Sequence, residues 1–444
     1  METRSSYELK DGSGNLVASG DARARLEEDN ISIMPEAAAA LHVSYRDIVE
    51  LAPKDYALGL RLVSGEEITL SRLGRDYEDF VREIGRMRNE LILGDMLMQE
   101  KLVKPGIKAR YSPYGRGSDD IRGNAEVRLY ETALVLLPEK GDPVRLPFGN
   151  IAEVREADYA VEIIDLAGGG LTLSMMGREH DPLVKALRER MNEMDLKVQA
   201  LLKDLAPQAD ISTLVRASRL MREGRAASTS DLEREAPGLW EELERKLEVV
   251  GVKGEYDYLK DMAREGKMHI GIKRGLMGEL TGEYVWFLAP IYSTDPQRPG
   301  NALAMEAASS RGGGRATYFF RMMGRGEYRS AGDMSALDRR ADELAAAVNR
   351  CLQAINFRRE PIYLPEERLY EPRYARYRFS VARLPELRML RDLYIGRVIH
   401  SSPEQWKRDV EDLLRFNVTA AGDDERCRGG EVLADGEEEE ALPG

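Results

Sequence analysis

Residues 22–91 align with residues 125–194 without a gap, at a constant offset of 103, and 20 of the 70 pairs are identical. One architecture must therefore accommodate both stretches, which restricts the fold more than any single motif does. The identities come in runs. Asp55-Tyr56-Ala57 falls on Asp158-Tyr159-Ala160, Thr69-Leu70-Ser71 on Thr172-Leu173-Ser174, Gly74-Arg75 on Gly177-Arg178, and Pro35-Glu36 on Pro138-Glu139. Most other positions keep their apolar or polar character.

Periodicity gives each copy its secondary structure. In the first, residues 23–28, 31–34, 41–45, 48–51, 56–63 and 67–73 are short stretches, several of them alternating apolar with polar residues. Turn formers separate them, among them Asp29-Asn30, Pro35, Pro53 and Ser64-Gly65. That pattern predicts about six strands in a small antiparallel barrel or sandwich. The period then lengthens: Tyr77, Phe80, Ile84, Met87 and Leu91 recur at helical steps, which predicts an amphipathic helix. Gly74 and Gly177 mark the strand-to-helix turn, where a positive φ is easiest for glycine. The two helices are expected to run to Val103 and Ala206 and to stop at Pro105 and Pro207.

A small barrel closed by one C-terminal helix resembles the pleckstrin-homology-like superfold, including its GRAM-like variants, here in tandem over roughly residues 5–205. The resemblance implies modules for binding proteins or phosphoinositides. Lipid-binding members carry basic residues around the first hairpin. This chain has Arg23 and Arg25 facing Glu27, Glu28 and Asp29, and only Arg128 in the second copy. Protein binding therefore ranks ahead of attachment to anionic membrane surfaces.

The remaining chain is more mixed. The expected layout is a first module over 1–104, a linker over 105–124, a second module over 125–206 and helices over 207–266. Within the helical segment, Ser230 with Glu233 has the spacing of a capping box. Residues 267–357 follow the order strand, glycine turn, strand, Met322-Met323-Gly324-Arg325 and helix, echoing Met175-Met176-Gly177-Arg178, and are read as a degenerate third module. A helical region over 358–421, with helices over 385–399 and 403–416, and a disordered acidic tail over 422–444 complete the chain. The fold class is thus α+β: tandem small antiparallel barrels or sandwiches, each closed by a long helix, plus helical segments.

Composition narrows the function. The net charge is −13, of which −7 comes from residues 422–444 alone, so the folded body is only mildly acidic. No segment approaches the roughly 18 apolar residues of a membrane span. The polar N-terminus is no signal peptide, and two distant cysteines, Cys351 and Cys427, make no disulfide framework. A cytoplasmic setting is expected.

The local motifs of common chemistries are missing. His42, His180, His269 and His400 are widely separated and have no ligand-spaced neighbours. Gly312-Gly313-Gly314 lacks the lysine of a phosphate loop and reads as a hairpin turn. Asp119-Asp120 lies in a glycine-rich loop. Nothing nominates a cofactor or a catalytic centre, and a non-enzymatic protein is expected.

Basic residues cluster at Lys273, Arg274, Arg311, Arg315, Arg321 and Arg325, and again at Arg373, Tyr374, Arg376, Tyr377 and Arg378, where they alternate with tyrosine. Arg beside Tyr suits a protein interface and equally a single-stranded nucleic acid. These eleven residues are the candidate interaction surface. The leading expectation is a cytoplasmic scaffold that binds protein partners. Nucleic-acid binding through the Arg/Tyr-rich C-terminal half is the alternative. Residues 258–267, with Lys273-Arg274-Gly275 as a wing, give that alternative a winged-helix form.

Overall fold

The computed structural model describes residues 1–36, 38–95, 100–114, 122–139, 143–166, 168–274, 283–295, 298–309, 316–355 and 357–420. Seven strands come first: β1 (Glu2–Lys10), β2 (Leu16–Leu26), β3 (Asn30–Pro35), β4 (Leu41–Ser44), β5 (Ile48–Lys54), β6 (Ala57–Leu62) and β7 (Glu67–Ser71). Helix α1 (Tyr77–Asp95) follows. The strands form one antiparallel sheet in the order β4-β3-β2-β1-β7-β6-β5. The first strand pairs with both the second and the last: Tyr7 faces Gly20 on one side and Leu70 on the other. Alternation then sends Ile31, Ile33, Leu58, Leu60, Ile68 and Leu70 to one side, where Phe80 and Ile84 of α1 cover them. Each of those two helix side chains, fully buried, contributes about 1.5–3 kcal/mol of burial.

The same arrangement recurs in β8 (Leu102–Tyr114), β9 (Gly123–Tyr130), β10 (Ala133–Pro138), β11 (Val144–Pro147), β12 (Ile151–Ala157), β13 (Ala160–Asp165), β14 (Gly170–Ser174) and α2 (His180–Leu205). The order is β11-β10-β9-β8-β14-β13-β12. From β3 to β7, both ends of every strand reappear 103 residues later. The positive-φ positions repeat at the same offset: Tyr56 and Tyr159, Gly65 and Gly168, Arg72 and Met175, Gly74 and Gly177.

Two boundaries differ from the sequence expectation. The first helix does not reach Val103, because Leu102 already opens β8. Residues 105–114, marked as linker by composition, belong to that strand, while 115–121 lie outside the described residues. The second sheet needs a first strand paired on both edges, and that requirement overrides the helical periodicity. β8 absorbs Pro105-Gly106 where its register shifts between Lys104 and Ile107, the bulge at which proline is tolerated in a sheet.

Beyond α2 lie α3 (Ile211–Leu220), the short β15 (Ala227–Ser228), α4 (Thr229–Glu235), α5 (Leu239–Val249) and α6 (Lys253–Met262). The cap of α4 is Ser228 rather than Ser230; its Oγ accepts from the Asp231 N–H at 3.1 Å. Gly238, with a φ of 83°, separates α4 from α5.

Next come β16 (His269–Arg274), β17 (Glu283–Ile291), β18 (Ala302–Ser309), β19 (Ala316–Arg321), α7 (Arg325–Ser330), α8 (Met334–Ala354), α9 (Glu360–Tyr363), α10 (Glu366–Leu369), α11 (Ala375–Arg383), α12 (Pro385–Leu393), β20 (Tyr394–Ile399) and α13 (Pro403–Thr419). The sheet order is β15-β16-β17-β18-β19-β20. Residues 267–357 therefore supply four consecutive strands of a six-stranded meander, not the seven-strand order of the two copies. Residues 385–399, expected as one helix, turn into β20 at Tyr394, which pairs with Phe320 of β19. An open sheet edge beside an apolar segment favours strand pairing over local helix propensity. The acidic tail lies outside the described residues.

The chain divides into two compact units. One comprises Met1–Leu146, Ile151–Arg188 and Tyr370–Arg383; the other comprises Pro147–Asn150, Glu189–Leu369 and Leu384–Gly444. In the first, the distal half of α1 packs Leu93 against Tyr130, Val135 and Leu137 of the second sheet. Glu90 pairs with the buried Arg128 at 2.7 Å. A segment from far along the chain completes that unit. The Ser380 hydroxyl of α11 donates to the Asp95 carbonyl, and Arg46 lies 4.3 Å over the Phe379 ring. Arg46 also holds the Asp95 carboxylate through Nε and Nη2, both at 3.0 Å. In the second unit, one core runs from Val198 and Leu202 through Trp240, Tyr256 and Phe287 to Trp406 and Leu413.

Asp95 is 1% exposed, so removing its guanidinium partner leaves a buried carboxylate short of charge compensation. Arg46→Ala should cost about 3–5 kcal/mol of stability, read as a lowered urea midpoint. Arg82→Ala, on the exposed face of the same unit, should move that midpoint by less than about 1 kcal/mol equivalent.

Candidate interaction surface

Each repeated sheet carries an exposed tyrosine at one end. Lys54 pairs with Ala57, leaving Asp55 and Tyr56 as a two-residue turn between β5 and β6. Their φ values are 50° and 57°, the geometry of a type I′ hairpin, in which the second position favours glycine. A tyrosine stands there instead, 78% exposed. In the second copy Ala157 pairs with Ala160, and Tyr159 has φ 58° and 88% exposure.

The strand that ends beside each turn adds a second residue. Leu58 pairs with Leu70 and Ala160 with Ser174. Arg72 and Met175, both with positive φ and both exposed, therefore sit at the same sheet end as the tyrosines. The helix start supports the turn from below. The Tyr77 hydroxyl donates to the Ala57 carbonyl at 3.3 Å, and its ring lies 5.6 Å from that of Tyr56. His180 takes the place of Tyr77 in the second copy, with Nε2 3.4 Å from the Ala160 carbonyl. The hydrogen bond that its Nδ1 makes to the Asp181 carboxylate raises its pKa.

The basic residues singled out by sequence divide between the two units. Arg373, Tyr374, Arg376, Tyr377 and Arg378 fall in the first unit, and Lys273, Arg274, Arg321 and Arg325 in the second. Arg311 and Arg315 lie outside the described residues, as do Gly312–Gly314 and Asp119-Asp120, and for Arg376 only the backbone is described. Most of the others are engaged within the chain. Lys273 Nζ sits 3.8 Å from Glu223 and 4.8 Å over the Phe357 ring. Arg274 pairs with Asp204 at 2.8 Å. Arg321 donates to the Asn417 side chain, and the buried Arg325 donates to the Asn417 carbonyl. Arg373 pairs with Glu371 at 2.8 Å, Tyr374 stacks on Tyr377 with centroids 6.2 Å apart, and Arg378 lies over Phe379 at 4.5 Å.

The basic residues of the expected groove-reading helix are paired as well: Lys260 with Glu244, Arg264 with Asp338 and Lys267 with Asp342. Gly275 of the proposed wing is outside the described residues. Cys351 is buried and donates to the Glu386 carbonyl, and burial pushes its thiol pKa up.

A cluster that sequence spacing does not reveal lies on one face of the six-stranded sheet. His400, just past β20, places Nε2 3.0 Å from Glu306 of β18 and Nδ1 3.1 Å from Glu255 of α6. Thr317 donates to the same Glu306 oxygen at 2.5 Å, and the Trp406 indole donates to Thr317 at 3.0 Å. Glu306 is fully buried. Burial opposes the imidazolium, but hydrogen bonds to Glu255 and Glu306 outweigh it and push His400 up to about 9. A histidine protonated at neutral pH between two carboxylates acts as an ionic clamp across α6, β18, β19 and α13, not as a general base. Its members come from five separate elements, so no local spacing announces them. No group of three or more metal-ligating side chains occurs among the described residues, and no helix among them is long and apolar enough to cross a membrane.

No family model matches the chain, and no curated protein does. Among solved structures, it is similar to a chain of one described as "Structure of the Spt16D Pob3N heterodimer", at 12% identity and a TM-score of 0.16, over 38% of this chain and 85% of that chain.

Two buried histidines should shape the stability of the second unit in opposite directions. The pKa of His400 is raised, so its contribution is complete below about pH 6.5 and is lost as pH rises through about 9. Burial pushes His269 down to about 4, so the folded state loses stability as pH falls from about 6.5 toward 4. Urea unfolding across pH 4–10 should therefore show a maximum near neutrality. In His400→Gln the alkaline limb should flatten while the acid limb stays.

Proposed function

We propose that this chain is a non-enzymatic, cytoplasmic protein-binding scaffold built on two pleckstrin-homology-like modules. The strand order supports the comparison: a seven-strand meander, its first strand flanked by its second and seventh, with one C-terminal helix covering the core. The observation that carries the binding reading is the identical Asp-Tyr-Ala tripeptide at the same sheet end of both modules. It holds a bulky, exposed aromatic residue at positive φ where glycine would be unstrained.

Such strain costs on the order of 1–3 kcal/mol per residue and collects at functional positions. Tyrosine is the residue type that most often anchors a protein interface, since it brings large area at small entropic cost. Folding alone gives no reason for it here, because both rings project largely into solvent. Nucleic-acid and membrane readings draw less support, because the basic side chains they need are mostly engaged with acids, carbonyls or rings of the chain itself.

The test pairs stability with binding. Tyr159→Gly should raise stability by about 1 kcal/mol through relief of the left-handed backbone. Tyr56→Gly combined with Tyr159→Gly should abolish co-purification of the partner that the intact wild-type chain captures. A double variant that is folded and retains the partner removes these tyrosines as anchors. A wild-type chain that captures nucleic acid instead of protein removes the scaffold reading.

A further inference from the structure

The face of the six-stranded sheet opposite the His400 clamp carries a second polar cluster with the contrary electrostatic character. Tyr318 of β19 and Arg397 of β20 are direct cross-strand partners, so their side chains share a face. Arg397 lies 3.8 Å over the ring of Tyr363 from α9. The Tyr318 and Tyr363 rings are 6.0 Å apart. Arg359, immediately before α9, stands 5.7 Å over Tyr318. Tyr284 of β17, buried, packs edge-on against Phe357, two residues before Arg359, at 5.8 Å.

Neither arginine has an ion-pair partner among the described residues, and the Arg359 Nη1 atom is buried with no hydrogen-bond partner. Arg359 and Arg397 are each only partly covered, so the cluster opens to solvent while that innermost nitrogen does not. The buried carboxylate of Glu306, whose charge is felt at Arg359, belongs to the other face, where Thr317 and His400 hold its Oε2.

Two guanidinium groups without an ion-pair partner are costly in this setting. Removing the partner of a buried charge typically destabilises by several kcal/mol, and arginine cannot escape by losing its proton. Elsewhere, the covered Arg46, Arg128 and Arg145 each face a carboxylate, and the buried Arg88 and Arg325 donate to backbone carbonyls. The polar groups around Arg359 and Arg397 are tyrosine hydroxyls: those of Tyr318 and Tyr363 accept from Arg397 and keep a proton of their own to donate. The three tyrosines keep their protons, because burial pushes the pKa of Tyr284, Tyr318 and Tyr363 upward, the last to about 12.

We propose that Arg359, Arg397 and the hydroxyls of Tyr284, Tyr318 and Tyr363 form a binding site for a phosphate-type oxyanion, free or as the head of a small phosphate monoester. Guanidinium forks match the oxygen geometry of such a group and bind it through charge-assisted hydrogen bonds. Arg359 lies over the Tyr318 ring and Arg397 over that of Tyr363, so the site offers donors for an anionic head. The assignment is independent of the tyrosine-tipped hairpins of the first unit.

Titration of the full chain with inorganic phosphate, followed by calorimetry and by thermal unfolding at ionic strength matched with sodium chloride, tests the assignment. Phosphate should bind saturably and raise the Tm, and phenyl phosphate should show whether a monoester is accepted as well as the free ion. Arg359→Met and Arg397→Met should each weaken phosphate about tenfold or more, the loss of one charged hydrogen-bonding group. Arg359→Met should also be at least as stable as wild type in the absence of phosphate, since it removes an uncompensated charge. Should that variant fail to fold, Arg397→Gln with the same titration carries the test. No saturable phosphate binding in the wild type, or equal binding by wild type and the folded variants, would overturn the proposal.

Discussion

The pairing of the first strand of each module on both of its edges is the constraint from which the rest of that module follows. With β1 bonded to β2 on one side and to β7 on the other, a seven-strand meander cannot remain a simple sequential ribbon. Its two halves share one strand, and their apolar faces come to face a common core. Strand alternation decides which residues enter it, and the helix after the last strand supplies the cover. The same demand explains why residues with a helical periodicity, near Leu102 and Val103, instead start β8. Without that strand the second sheet has no centre.

A scaffold fixed in this way can hold unfavourable backbone at its rim. Tyr56 and Tyr159 occupy turns whose flanking strands are paired up to the last residue before the turn, and whose far side is tied to the helix start through Tyr77 or His180. The surrounding hydrogen bonds over-determine the conformation, so a residue with a poor intrinsic preference stays in place. Loops held by rigid frames are where contact residues accumulate, and here the two frames present the same residue type at equivalent positions.

The six-stranded sheet shows how one sheet can separate opposite electrostatic environments. Successive residues on a strand point to opposite faces. Thr317 therefore joins Glu306 and the His400 clamp, while its neighbour Tyr318 joins Arg397 and Arg359. On the first face one imidazolium is held between two carboxylates. On the second, cations stack on aromatic rings, which soften their desolvation without neutralising them.

The sequence by itself determined the α+β class, the two copies with their common offset, the strand-turn-helix order within each, and the glycine turns at Gly74 and Gly177. These are local periodicities and local backbone preferences, and a repeat states them twice. The tertiary structure alone decided that residues 102–114 are a strand, that 267–357 follow an order of their own, and that the segment Tyr370–Arg383 completes a unit whose other residues all precede Glu189. It also decided which arginines meet acids or carbonyls and that Arg359 and Arg397 lie against tyrosine rings instead. Pairing partners, burial and counter-charges come from segments distant in the chain. The spacing of His400 from Glu255 and Glu306, or of Arg359 from Tyr284 and Arg397, carries no signal until the sheet brings them together.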